Sequence, residues 1–192
     1  MRIYVMMGTT MAGKTEHGKA LARELGYDYI ASGDIARSLM DEKTKVEFAQ
    51  GKLSPHDEKI RQTIYGLILK SNAVGGVVLD GFPRNAAHVI DFITWLEDWL
   101  HQTASRATVT VIRLDVPISV IIARVSKRGR DQFDTSDIVL KRHTVFLDET
   151  VQPLEYLAHV YGSIVTITLA SEASFDSVHQ TIVNELEDRK YI

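Results

Sequence analysis

Gly8-Thr9-Thr10-Met11-Ala12-Gly13-Lys14-Thr15 reads as G-x-x-x-x-G-K-[ST]. It lies between the apolar run 3–7 and a helical pattern over 14–25. A strand entering and a helix leaving is the context in which this motif forms a phosphate-binding loop. Backbone N–H groups of such a loop converge on phosphate oxygens, and the helix N-terminus adds partial positive charge. The stretch therefore predicts binding of a nucleoside triphosphate. Gly8, Thr10, Ala12, Gly13, Lys14, Thr15 and Glu16 are its candidate contacts. Lys14 is the cation for the terminal phosphates, and the Thr15 hydroxyl is a candidate oxygen for Mg²⁺.

Working outward, apolar runs at 3–7, 27–31, 76–80, 108–114 and 163–169 read as strands. Their continuous Val/Ile/Leu character predicts burial on both faces, as in a parallel sheet. Helical patterns cover 14–25, 33–50 (broken), 55–72, 86–102, 117–127, 136–148 and 172–187. This alternation predicts an α/β fold with a doubly wound, five-stranded parallel sheet and helices on both faces. Ligands of such sheets sit outside the carboxyl ends of the strands. Chemistry is expected just after residues 7, 31, 80 and 114.

The second informative stretch ends the third strand. Val77-Val78-Leu79-Asp80 is apolar up to a carboxylate, and Gly81-Phe82-Pro83-Arg84 follows. Asp80 is placed to act on the magnesium side of the loop. The Arg84 guanidinium can grip a phosphate through two parallel hydrogen bonds.

With these residues in view, the chain resembles the adenylate kinase family of nucleoside monophosphate kinases, short-lid type. The resemblance rests on the loop at 8–15, Ser32-Gly33-Asp34-Ile35-Ala36-Arg37, Gly51-Lys52-Leu53-Ser54-Pro55, Asp80–Arg84 and the basic residues from Arg124 to Arg142. It covers nearly the whole chain. It implies a single domain over 1–192, with an acceptor-binding helical segment at about 32–60 and a short lid at about 127–136. The implied reaction is reversible transfer of the terminal phosphoryl group of Mg-ATP to a nucleoside monophosphate, with AMP first and UMP/CMP or deoxy counterparts as the alternative. Lys14, Arg84, Arg128, Arg130 and Arg142 would be catalytic, and Arg124 would lie near the donor base. Ser32, Gly33, Arg37, Leu53, Gly81, Arg84 and His88 would hold the acceptor. Thr15 and Asp80 would serve Mg²⁺, Asp80 through water. The acceptor phosphate is largely dianionic at neutral pH, its second pKa being about 6. No general base is then required.

Two departures carry consequences. Thr10 and Met11 stand where the family has Pro and Gly. A left-handed Met11 would cost roughly 1–2 kcal/mol. His88 stands where adenylate kinases read adenine with Gln and the pyrimidine branch has Asn. An imidazole offers one donor and one acceptor on different edges. It cannot copy a two-pronged amide contact. The segment between Gly33 and Gly51 is also shorter than is usual in the family.

Composition bounds the partners. The 192 residues carry a net charge of −3 and no cysteine. No basic excess favours a nucleic acid. No run is long enough to span a membrane, and thiolate zinc sites are excluded. The expected partners are ATP and a nucleoside monophosphate, with the chain a cytoplasmic monomer. Trp95 and Trp99 have core spacing, and the histidines other than His88 read as surface or structural. Two further readings remain at this stage. A kinase of a small hydroxylic metabolite would use Asp34 as base. A catalytically inactive nucleotide binder would retain the loop alone.

Overall fold

The computed structural model describes residues 1–9, 11–41, 44, 57–128, 136–168 and 173–192. Strands β1 (Arg2–Gly8), β2 (Asp28–Ala31), β3 (Gly76–Asp80), β4 (Thr108–Asp115) and β5 (Gly162–Thr168) form one sheet in the order β2-β3-β1-β4-β5. Every pairing is parallel. The register sets Met6 beside Asp80 and Gly8 beside Leu114. The strands before and after β1 in space come from opposite directions of winding. Its carboxyl end is therefore the crevice where such sheets bind ligands.

Alternate residues of each strand enter different cores. Ile3, Val5, Val77, Leu79, Val109 and Val111 face one side. There they meet α3 (Asp57–Ser71), α4 (Ala86–Thr103) and α7 (Val151–Tyr161) through Ile64, Phe92 and Leu157. Tyr4, Met6, Val78, Ile112 and Val165 face the other side. That core is closed by α1 (Lys14–Leu25), α5 (Ile118–Arg128), α6 (Ser136–Val145) and α8 (Phe175–Asp188). Burial on both faces is the reason the central strands β1 and β3 have no polar alternation, whereas the edge strand β5 leaves Thr166 and Thr168 exposed. Trp95 stacks on Tyr65 at 4.5 Å and on Trp99 at 6.2 Å, as core spacing implied.

Helix ends follow local chemistry. Gly26, at φ 68°, stops α1 in the left-handed conformation, and its N–H returns to the helix carbonyls. Asn85 caps α4 by accepting the His88 N–H at 2.9 Å. The helix α2 (Ser32–Leu39) is shorter than the expected 33–50 and ends at an extended Met40. Much of the remaining expected span lies outside the described residues, as do lid residues 129–135.

One element differs from the sequence reading. The expected helix 136–148 continues through a π-helical turn, Phe146–Thr150, directly into α7. Pro153 does not interrupt this run. It occupies the first turn of α7, where its missing N–H costs little. The wide turn before it takes up the mismatch, with the Val151 N–H reaching the Phe146 carbonyl.

Candidate active site

The loop after β1 is shaped by two constraints. Gly8 lies against β4: a Cβ there would stand 2.5 Å from the Leu114 carbonyl oxygen, at φ 144°. Met11 adopts φ 67°, the left-handed conformation anticipated for it. Its side chain is buried in the core around Ile112 and Leu114. Its carbonyl accepts a 2.8 Å hydrogen bond from Arg124 of α5. Ala12 is buried, and Gly13, at φ 86°, leads into α1. Glu16 is exposed in the first turn of that helix. Thr10 lies outside the described residues.

Lys14 turns back so that Nζ donates to the Thr9 carbonyl at 2.7 Å. Burial pulls its pKa down to about 8, with Arg84 and Arg142 adding repulsion and Asp80 partly opposing them. Arg84 is likewise lowered from the ordinary arginine value, first by enclosure and then by Arg142 and Arg37, with Asp80 and Asp57 opposing. Lys14, Arg84, Arg142 and Arg37 thus come from α1, the turn after β3, α6 and α2 into one electrostatic neighbourhood. Such convergence is costly in isolation and becomes favourable around a polyanion.

Asp80 ends β3 beside this cluster. Its Oδ2 accepts from the Thr15 hydroxyl and the Tyr29 hydroxyl, each at 2.7 Å. Two hard oxygen groups, the Thr15 hydroxyl and the Asp80 carboxylate, therefore meet at the start of α1. That is the donor chemistry Mg²⁺ takes when phosphates supply its other ligands. No group of three His, Cys, Asp or Glu capable of holding a metal occurs among the described residues.

The next turn organises the acceptor side. Gly81, at φ 75°, presents its carbonyl to Ser32 Oγ at 2.7 Å and to Arg84 Nε at 2.6 Å. Arg84 also reaches Ser32 Oγ at 3.2 Å. The Arg84 backbone carbonyl accepts from Thr150 Oγ1 at 2.5 Å. A Cβ on Gly33 would meet the Arg37 guanidinium at 3.4 Å. Arg37 is exposed and ion-paired with Asp34. Asp34 is therefore committed to a cation of the site. His88 is buried, with Nε2 at Asp57 and Nδ1 at the Arg84 backbone N–H.

Of the residues named from sequence, the structure brings together Lys14, Thr15, Ser32, Gly33, Arg37, Asp80, Gly81, Arg84 and Arg142. Arg124 sits behind the loop on Met11. Arg128 ends α5, while Leu53 and Arg130 lie outside the described residues. Three participants were not read from the sequence: Tyr29 on Asp80, Thr150 on Arg84 and Asp57 on His88. Each is a polar tip whose partner is at least 31 positions away, and only the assembled sheet and helices join them.

Residues 7–141 match a family model described as an AAA domain. The adenylate kinase of Nocardia farcinica is 31% identical over 192 residues, covering 97% of this chain and 99% of that protein. The chain belongs to the adenylate kinase family. The adenylate kinase of Mycobacterium leprae (strain TN) is 29% identical, covering 93% of this chain and 98% of its own. That of Chlamydia felis is 26% identical over 217 residues, covering 96% and 97%. Membership of the adenylate kinase family makes the chain a nucleotide kinase, working by phosphoryl transfer between nucleotides. Among its described residues no helix is long and apolar enough to cross a membrane.

Proposed function

We propose that the protein transfers the terminal phosphoryl group of Mg-ATP reversibly to a nucleoside monophosphate, with AMP the preferred acceptor. The observation that carries this reading is the convergence of Lys14, Arg84, Arg142 and Arg37 beside the Asp80–Thr15 pair. A donor alone needs a lysine and a metal oxygen. Arg84, fixed to Gly81 and Ser32, and Arg37, paired with Asp34, suit a second phosphate. The names of its relatives support AMP as that second nucleotide.

An oxygen of the acceptor phosphate attacks the terminal phosphorus of the donor. The bridging bond breaks, and the electron pair leaves with the donor's diphosphate. The acceptor becomes a diphosphate in turn. No proton need be removed from the attacking oxygen, because the acceptor is largely dianionic. The work left to the protein is orientation and neutralisation of spreading charge. Lys14 and Arg142 would meet the donor side, and Arg84 and Arg37 the acceptor. Thr15 and Asp80 would hold Mg²⁺, Asp80 through water. The ion supplies charge neutralisation at the donor phosphates. Arg128 and Arg130 would close over the transferring group as lid residues. We further propose a cytoplasmic monomer built as a single domain.

The hydroxylic-acceptor reading needs Asp34 as a free base. Its ion pair with Arg37 speaks against that role. Initial rates with Mg-ATP across ribo- and deoxynucleoside monophosphates test the proposal. AMP should give the highest kcat/KM. Lys14→Ala and Arg84→Ala should each lose about a hundredfold or more in kcat, the cost of removing a transition-state charge clamp. A panel in which no diphosphate forms overturns the reading.

A further inference from the structure

His88 lies in the first turn of α4, four residues after Arg84. It is 5% exposed, and its ring is used on both sides. Nε2 is 3.0 and 3.1 Å from the two carboxylate oxygens of Asp57, the first residue of α3. Nδ1 accepts from the backbone N–H of Arg84 at 3.4 Å. Together these contacts select one tautomer: Nε2 carries the proton and donates to Asp57, while Nδ1 keeps its lone pair for Arg84.

The link belongs to a larger lacing of α3 to α4. Asp57 also pairs with Arg61, and Arg61 Nε reaches Asp91 of α4 at 3.0 Å. Tyr65 donates its hydroxyl to the same Asp91. The Arg84 peptide is thereby gripped at its N–H by His88 and at its C=O by Thr150. Its guanidinium is held on Gly81 and Ser32. For His88 to read a base, one ring nitrogen must leave its partner. That would take one of two partners from the Asp57 carboxylate, or the imidazole acceptor from the Arg84 N–H.

We propose that His88 is a positioning residue for Arg84, tying the peptide of this phosphate-gripping arginine to Asp57 at the end of the acceptor segment, and that it does not read the acceptor base. The inference rests on the proposed function for the identity of the acceptor. Base choice then belongs to other parts of the acceptor segment, and His88 acts equally on every monophosphate.

Initial rates of wild type, His88→Ala, His88→Gln and Asp57→Asn across AMP, GMP, CMP, UMP and their deoxy counterparts test it. His88→Ala and Asp57→Asn should raise the KM of every accepted monophosphate by about tenfold, the loss of one hydrogen bond to a charged partner. The KM for ATP and the ranking of bases should stay as in wild type. His88→Gln should recover part of the loss, since its amide can still donate to Asp57. A merely structural role would lower kcat through lost folded enzyme and leave acceptor KM alone, and that result overturns the proposal. So does a changed ranking of bases in His88→Gln. Nitrogen-15 NMR of the wild type without nucleotide gives a readout independent of turnover. The expected signature at neutral pH is a protonated Nε2 and a bare Nδ1; the other tautomer overturns the positioning role. A wild type that phosphorylates no monophosphate defeats the proposed function, while the tautomer still decides whether His88 is tied to Arg84.

Discussion

At Met11 two energies of similar size oppose each other. A non-glycine residue at φ 67° is strained by roughly 1–2 kcal/mol. Its buried side chain, 8% exposed among Ile112 and Leu114, contributes about 1.5–3 kcal/mol. The Arg124 bond to its carbonyl fixes the turn in that conformation. Met11→Gly therefore loses packing and gains backbone relief, whereas Met11→Ala loses packing and keeps the strain. Met11→Ala should be the less stable of the two by about 1 kcal/mol, in reverse of the usual order of Ala and Gly. Urea denaturation at equal pH checks it. Equal midpoints, or a weaker glycine variant, would show that the turn carries no strain in solution. The strain itself was legible in the sequence, because a loop of fixed path met a residue with a Cβ. Tyr29 was not. Its phenol is read as strand apolarity until β2 pairs with β3 and sets it against Asp80.

Elements were legible in proportion to the strength of their period. Strands β1 and β3 are nearly unbroken apolar runs while β4 and β5 carry threonines, and a doubly wound sheet follows from the alternation of strands with helices. The helix α7 was missed although Leu154, Leu157 and Ala158 repeat at helical spacing and are buried. Pro153 lies in its first turn and does not end it. α7 runs into β5 without a connecting loop, and this close join makes its own demand. A Cβ on Gly162 would sit 2.0 Å from the Val109 carbonyl oxygen and 3.0 Å from its carbonyl carbon. Those are backbone atoms of the paired strand β4, which cannot yield without losing ladder hydrogen bonds. Gly162→Ala should destabilise by about 3 kcal/mol, well above the typical surface substitution. A midpoint within error of wild type would mean that β5 can shift its register against β4. The acceptor segment and lid were legible as motifs and spacing only. Arg37 and Arg142 could be named, yet their nearness to Arg84 depends on α2 and α6 folding over the sheet.

Across the whole molecule, each face of the sheet hides an imidazole at a helix–helix seam. On one side His17 of α1 stacks flat on Phe175 of α8 at 4.5 Å and lies 5.8 Å from His179. On the other His88 joins α4 to α3. Burial pulls the His17 pKa down to about 4, with His179 and Arg124 adding repulsion, and no described group receives its Nδ1. His88 is also lowered by burial, with Arg61 and Arg84 repelling and Asp57 opposing. His17 is thus neutral in the folded chain above about pH 4, and an unfolded imidazole titrates near 6.5. Between these values the unfolded state binds more protons, so stability is full above about pH 6.5 and falls as pH drops toward 4. His17 alone would account for roughly 3 kcal/mol of that loss, at about 1.4 kcal/mol per pH unit. His17→Phe keeps a ring against Phe175 and removes the titration. Chemical denaturation at several pH values from 7 to 4.5 should show a shallower fall in this variant than in wild type, with the His179–Glu24 pair left in both. Parallel profiles would mean that His17 is protonated within the fold, and that acid destabilisation begins at the His88 seam instead.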